Sequence, residues 1–369
     1  MTCGFIASLL RMAEALELQA SAGGLRVAIV GAGVIGLSSA LAIVEHYGGP
    51  PLGPTITIFA EAFSPHTTGD HVAGLWQPYP YGPVPSVETK WNRETFQFLL
   101  KFLNHADVPE MGLFVQSGYN LFKKRVPDPP WCDIVLGFRH LTQDELSLFP
   151  GWSYGWFNTT LMLECKNYLP WLMKKLKSYG IKFIQKKVNS LMELSLSDDV
   201  IINCTGMQAA HLVPDKEVQP GRGQLTKVYA PWLKHFYSTH DEQKGLYNSP
   251  YILPGSTGVV ALGGILQLGN WNEEVNDEDR RCIWEGCCKL VPSLRNTHVV
   301  EEWAGFRPCR SAIRLERETL GSGFSKVELI HNYGHGGYGI TIHWGCAQAV
   351  AALFEEICAE KKRAVPSHL

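Results

Sequence analysis

The sequence predicts an α/β protein whose parallel sheet is assembled from separated stretches of chain, with strand-rich segments between them. Three observations predict it. A β-branched run, Arg26 to Val30, meets the glycine turn Gly31-Ala32-Gly33-Val34-Ile35-Gly36 and then an apolar stretch of helical length. A second β-branched run, Thr55 to Phe59, closes a βαβ unit that ends on the acidic Glu61. The chain then leaves this pattern and returns to buried-strand sequence only at DVIINCTG (199–206) and VELIHNYGHGG (327–337).

The composition limits the alternatives. With 369 residues, 45% apolar and 18% charged, the chain has enough material for two cores. Thirty-three Lys and Arg against 35 Asp and Glu leave no excess charge to attract nucleic acid or an anionic membrane. No run of eighteen apolar residues is present, so no membrane-spanning helix is expected. The ten cysteines are irregularly spaced without a CxxC, which argues against a zinc ribbon or a dithiol redox motif and for packed free thiols in a reducing compartment.

In chain order, residues 1–25 read as an extension with a weak helical stripe. In the βαβ unit that follows, Gly31 allows a tight turn, Gly33 lets backbone approach a pyrophosphate, and Gly36 permits close packing of helix on strand. Glu61 is placed to accept from a ribose hydroxyl and would repel a 2′-phosphate. Prolines 78, 80, 83 and 85 precede a predicted helix at 90–103. Strands are predicted at 112–122, 181–184 and 199–203, and helices at 167–180, 277–290 and 341–361, with mostly strand between 223 and 303. A contiguous NAD domain would continue βαβ for about another hundred residues. The discontinuous return points to FAD instead.

Further candidates come from residue chemistry. The glycine run at 334–339 precedes a helix whose positive end would face an anionic reduced flavin. His331, His335 and His343 lack a carboxylate partner and a fixed geometry, so no metal is expected. Arg307, in Gly305-Phe306-Arg307-Pro308, offers a fork for a carboxylate. Tyr247 and Tyr251, four apart in YNSPY, would share one face of an extended segment, either as a pocket lining or as a structural pair.

Together GAGVIGLSSA, GLWQPY, SGYNLF, VLGFRHLT, YNSPYI, GGILQLGNW, IWEGCC, GFRP and HNYGHGGYGITIHWGCA resemble the D-amino-acid oxidase family, from Arg26 to the C-terminus. The resemblance implies a discontinuous Rossmann-like FAD-binding domain (26–76, 161–215, 318–362). It also implies a substrate domain with a large, mostly antiparallel sheet (77–160, 216–317) and a tail at 363–369. The residues implied around the substrate are Arg307 at the α-carboxylate with Tyr251, Tyr247 on a lid, the Gly337 carbonyl at the amine, and Gln77 nearby. Around FAD it implies the glycine turn 31–36 including Ala32, Val34 and Ile35, then Glu61 and Ala62 at the ribose. Thr67, Thr68 and Gly69 would lie near the phosphates, with Ala73, Gly74 and Leu75 along the flavin. Val188 and Thr205 would hold the adenine and pyrophosphate side. Gly336, Gly337, Tyr338, Gly339, Ile340 and Thr341 would cover the pyrimidine edge.

Ala62, Gly69, Gln208 and Ser311 depart from the family pattern, and weaker cofactor retention is expected from them. The implied chemistry is hydride transfer from a D-amino acid to flavin N5, reoxidation by O2 to hydrogen peroxide, and hydrolysis to a 2-oxo acid and ammonia. A lid without arginine favours neutral substrates over the dicarboxylate of a D-aspartate oxidase. A glycine or sarcosine oxidase and a non-catalytic flavin-binding module are the more distant readings. Ser367-His368-Leu369 is similar to a peroxisomal import signal, so the import receptor is an expected partner, and a homodimer is the expected assembly.

Overall fold

The structure is a computed structural model that describes residues 22–79, 86–245, 248–321 and 326–364. Tyr247, the tail residues Ser367 to Leu369 and most of the expected extension lie outside the described residues.

Among the described residues, fourteen strands form one sheet. They are β1 (Arg26–Val30), β2 (Thr55–Ala60), β3 (Leu113–Phe122), β4 (Leu136–His140), β5 (Tyr154–Leu163), β6 (Lys182–Gln185) and β7 (Val200–Asn203). The chain continues through β8 (Gln219–Tyr229), β9 (Phe236–His240), β10 (Tyr251–Pro254), β11 (Val259–Gly263), β12 (Gln267–Leu268), β13 (Val299–Leu320) and β14 (Val327–His335). The order across the sheet is β4-β5-β3-β9-β10-β11-β8-β13-β14-β7-β1-β2-β6, with β12 beside β8. Helices used below are α1 (Val34–Tyr47), α2 (Thr68–His71), α3 (Ser86–Phe102), α4 (Cys165–Ser178), α5 (Asp277–Leu290) and α6 (Gly339–Ala364).

From β14 to β6 neighbouring strands run parallel. Their sequences explain the position: β7 is VIIN and β14 is buried along its whole length, as strands covered on both faces must be. Helix α1 is apolar nearly all round because the sheet lies on one side and α6 and α4 cover it on the other. Phe354 of α6 meets Tyr47 edge to face at 5.3 Å.

The other half is mostly antiparallel and is joined to the first by β13. This 22-residue strand pairs with β8 from Val299 to Cys309 and with β14 from Arg314 to Leu320, with an irregularity between. The expected domain boundaries at 317/318 and 160/161 therefore fall inside β13 and β5, which run on through them. β14 runs on to His335, with Tyr333 and His335 still paired with Arg314 and Cys309. The register of β8 is anchored by Arg222. Its buried guanidinium donates to Asp279 Oδ2 at 2.6 Å, to Gln224 and Gln267, and to the carbonyls of Asn272 and Glu274. Asp279 sits in the first turn of α5, where Asn276 caps the helix. Each polar atom in this buried cluster thus has a partner, and β8 is held against α5 beside the site.

Candidate active site

The glycine turn behaves as its spacing predicts. Gly31 has φ +112°, and a Cβ there would lie 2.3 Å from the Cys204 carbonyl oxygen. A Cβ at Gly36 would lie 2.0 Å from the Gly31 carbonyl oxygen, so this glycine is needed for packing and does not face the cavity. Gly33 meets nothing within 4 Å and opens onto it.

Two cavities, about 420 and about 320 Å³, meet at Gly33, Thr68, Gly69, Cys204, Gly206 and Pro308 to form one trough. Its outer end is lined by Gly31, Ala32, Glu61, Ala62, Thr67, Val188 and Thr205. Lys187 reaches Glu61 at 3.4 Å there, and Thr205 Oγ1 donates to Asn203 at 2.7 Å. Gln208, one of the departures from the family pattern, lines this end too. The inner end is lined by Val34, Ile35, Ala73, Gly74, Leu75, Gln77, Tyr251, Arg307, Gly336, Gly337, Gly339, Ile340 and Thr341. The 31–36 turn, the 67–75 segment and the 336–341 run, remote in sequence, thus enclose one space. One expectation is corrected. The Tyr338 side chain does not line the trough; just ahead of α6, its hydroxyl donates to Glu88 of α3 at 3.0 Å and its ring packs on Tyr79.

The trough suits an elongated dinucleotide. Asn332 Oδ1, His335 Nε2 and Gln77 Oε1 are buried side-chain atoms with no hydrogen-bond partner among the described residues, and all three residues line the inner end. Burial lowers His335 to about 3, with a smaller push from His343, so its ring is neutral. Left unmatched, such atoms cost free energy; a cofactor rich in donors and acceptors would satisfy them. These residues fit FAD.

At the inner end two side chains are set down on glycines. The Arg307 guanidinium crosses Gly223, where a Cβ would lie 2.1 Å from Nη1, and Nη1 donates to the Ile265 carbonyl at 3.1 Å. The Tyr251 ring crosses its cross-strand partner Gly263, where a Cβ would lie 2.1 Å from Cζ. Burial raises the Tyr251 phenol, while the Arg307 guanidinium beside it pulls the other way. Beyond them lies a neutral polar chain. Gln77 Nε2 donates to Asn120 Oδ1 at 2.9 Å, and His240 Nε2 approaches the same oxygen at 3.0 Å. An amide oxygen only accepts, so His240 carries its proton on Nε2, and burial lowers its pKa to about 3. Among the described residues lining the inner end, Arg307 is the sole Arg or Lys.

Sequence reading missed Trp303 as part of this wall, and the meeting of the lining residues Gln77 and His240 on Asn120 behind them. Trp303 shares strand parity with Gly305 and Arg307, and that period of two is a usable signal. Asn120 and His240 meet only through the pairing of β3 with β9. Of the three histidines considered for a metal, His331 contacts Glu318 and Asn203, His343 contacts Tyr168 and the Ile340 carbonyl, and His335 faces the inner end of the trough.

A fold of this kind, with a glycine turn feeding a long trough toward an arginine seated on a glycine, defines a flavin-dependent oxidoreductase. Residues 26–353 match the family described as FAD dependent oxidoreductase (DAO). The chain is 38% identical over 346 residues to human D-aspartate oxidase, covering 92% of this chain and 98% of that one. It is 33% identical over 343 residues to D-amino acid oxidase of Dugesia ryukyuensis, covering 92% and 100%. Among solved structures, glycine oxidase from Geobacillus kaustophilus superposes with a TM-score of 0.72 at 18% identity, covering 90% and 95%, which is a likeness of fold. The chain belongs to the DAO family of FAD dependent oxidoreductases, as its motifs led us to expect, and its cofactor is FAD.

Proposed function

We propose that this enzyme oxidatively deaminates neutral D-amino acids to 2-oxo acids and ammonia, with O2 reduced to hydrogen peroxide. The observation that carries the reading is Arg307, the one Arg or Lys among the described residues lining the inner end, held over Gly223. Its guanidinium, with the Tyr251 hydroxyl beside it, grips the α-carboxylate in a bidentate pair. The Gly337 carbonyl accepts from the substrate amine. These two anchors fix carboxylate and amine, so only one enantiomer presents its α-hydrogen to the flavin face while its side chain enters the space by Gln77 and His240. FAD, when bound, supplies the acceptor for that hydrogen with its electron pair and passes the electrons to O2. The nitrogen lone pair forms the imine as the hydride leaves, so an amine bound neutral requires no protein base. Orientation carries the rate.

A second carboxylate on the substrate would find only neutral amides and the neutral His240 ring, and burying it unpaired is costly. The similarity to human D-aspartate oxidase favours the alternative that D-aspartate is the substrate. Anaerobic mixing separates the two. D-alanine bleaches the bound flavin, whereas L-alanine and D-aspartate at equal concentration leave it yellow. Faster bleaching by D-aspartate than by D-alanine would overturn the neutral preference. Peroxisomal import through Ser367-His368-Leu369 and assembly as a homodimer belong to the same proposal.

A further inference from the structure

The wall of the trough formed by Val72 to Leu75 is fastened at three points, and two of them are conventional. At its start, Asp70 closes a capping box on Thr67 through Thr67 N at 2.9 Å and Thr67 Oγ1 at 2.7 Å. At its end, the Gly74 carbonyl accepts from Leu163 N at 2.9 Å, and Trp76 N donates to Leu161 at 2.9 Å, so the chain is stitched to β5. The third fastening reaches across to the strand that carries Arg307. His71, the last residue of α2, stacks on the Trp303 indole with centroids 4.9 Å apart and planes 8° from parallel. Its Nδ1 lies 3.1 Å from Glu301 Oε1, and Lys227 of β8 holds the other carboxylate oxygen at 2.9 Å.

The arrangement is built around Trp303. A Cβ at Gly305 would lie 2.1 Å from Cζ2 of that indole, so the bare glycine lets the ring lie along β13. Trp303 itself lines the inner cavity, and the residues directly after His71 line it as well. Two opposing walls of one cofactor cavity are therefore joined by a single stacked pair, and the acidic and basic groups behind it keep the imidazole facing the indole. Alternate positions on β13, Glu301, Trp303, Gly305 and Arg307, tie this clasp to the substrate-binding arginine through one rigid strand.

We propose that His71 and Trp303 form a clasp that closes the flavin wall against β13 and thereby sets how firmly FAD is retained. His71 acts as a positioning residue, through Val72 to Leu75 and the indole. The inference needs only that the trough holds FAD, whichever amino acid is oxidised.

The test is FAD release from the holoenzyme after dilution, followed as the rise of free-flavin fluorescence. His71→Val removes both the stack and the carboxylate contact, and release accelerates about tenfold, equivalent to about 1.4 kcal/mol. His71→Phe keeps the stack and brings release back to within about threefold of the parent. Trp303→Leu also accelerates release, and the double variant is no faster than the faster single one, because both substitutions remove the same stacked pair. General loosening of the fold would instead multiply the two effects and lower the urea midpoint of each variant independently. Release from His71→Val at the parental rate, or multiplicative effects in the double variant, would overturn the proposal. Failure of the substrate assignment would leave these release rates untouched.

Discussion

Replacing Gly223 by alanine adds one methyl group on the strand beside β13, and the structure predicts a large loss of turnover without loss of fold. The new Cβ would lie 2.1 Å from Arg307 Nη1 and 2.6 Å from Cζ. Ordinary contact begins near 3.4 Å, so the guanidinium must retreat by more than about 1 Å. Gly223 has no positive φ, and alanine suits a strand better than glycine, so the backbone accepts the change. The group that yields is the far end of a flexible side chain, which makes the substitution cheap for stability and expensive for geometry. Misplacement of a binding group by about 1 Å costs about a hundredfold in rate, or about 2.7 kcal/mol. Steady-state peroxide release with D-alanine should therefore show kcat/KM about a hundredfold lower. The visible flavin spectrum and the thermal midpoint of the FAD-saturated protein should stay near the parent. A Gly223→Ala enzyme with intact flavin and kcat/KM within threefold of the parent would refute the claim that the glycine places the arginine.

Three other outcomes are expected. Arg307→Leu removes the only Arg or Lys among the described residues lining the inner end, so D-alanine oxidation falls by at least about a thousandfold while FAD absorbance remains; equal efficiency in the assay would defeat the carboxylate assignment. Burial lowers His343 to about 4, against an ordinary value of about 6.5, so between those limits the unfolded chain binds a proton that the folded one refuses. Stability should fall as pH drops through that window, and His343→Gln should reduce the slope by up to about 1.4 kcal/mol per pH unit in urea titrations; an unchanged slope would show that this ring is not the group responsible. Deleting Ser367 to Leu369 should leave turnover intact and move the protein from peroxisomes to the cytosol, as seen by fluorescence microscopy of a tagged chain, and unaltered targeting would count against the import signal.

Local physics made the βαβ unit legible. A β-branched run, a glycine spacing and an apolar helix each depend on neighbours within a few residues, and β1, α1 and β2 lie where those patterns put them. Arg307 and Tyr251 could be picked out as a guanidinium fork and a phenol because that chemistry is carried by single side chains, and the structure brings both to the inner end. The reading went astray where distant chain intervened. Tyr338 belonged to the glycine run by sequence but turns toward Glu88, since the first turn of α6 packs on α3.

The amino-acid order by itself determined the nucleotide turn, the choice of FAD over a contiguous NAD domain, and the identity of the arginine. Tertiary packing decided the rest: cross-strand register put Gly223 beneath Arg307 and Gly263 beneath Tyr251, and the seating of α2 on β13 put His71 on Trp303. Register between strands tens to hundreds of residues apart is set by how whole faces bury their apolar side chains, so no local window of sequence contains it.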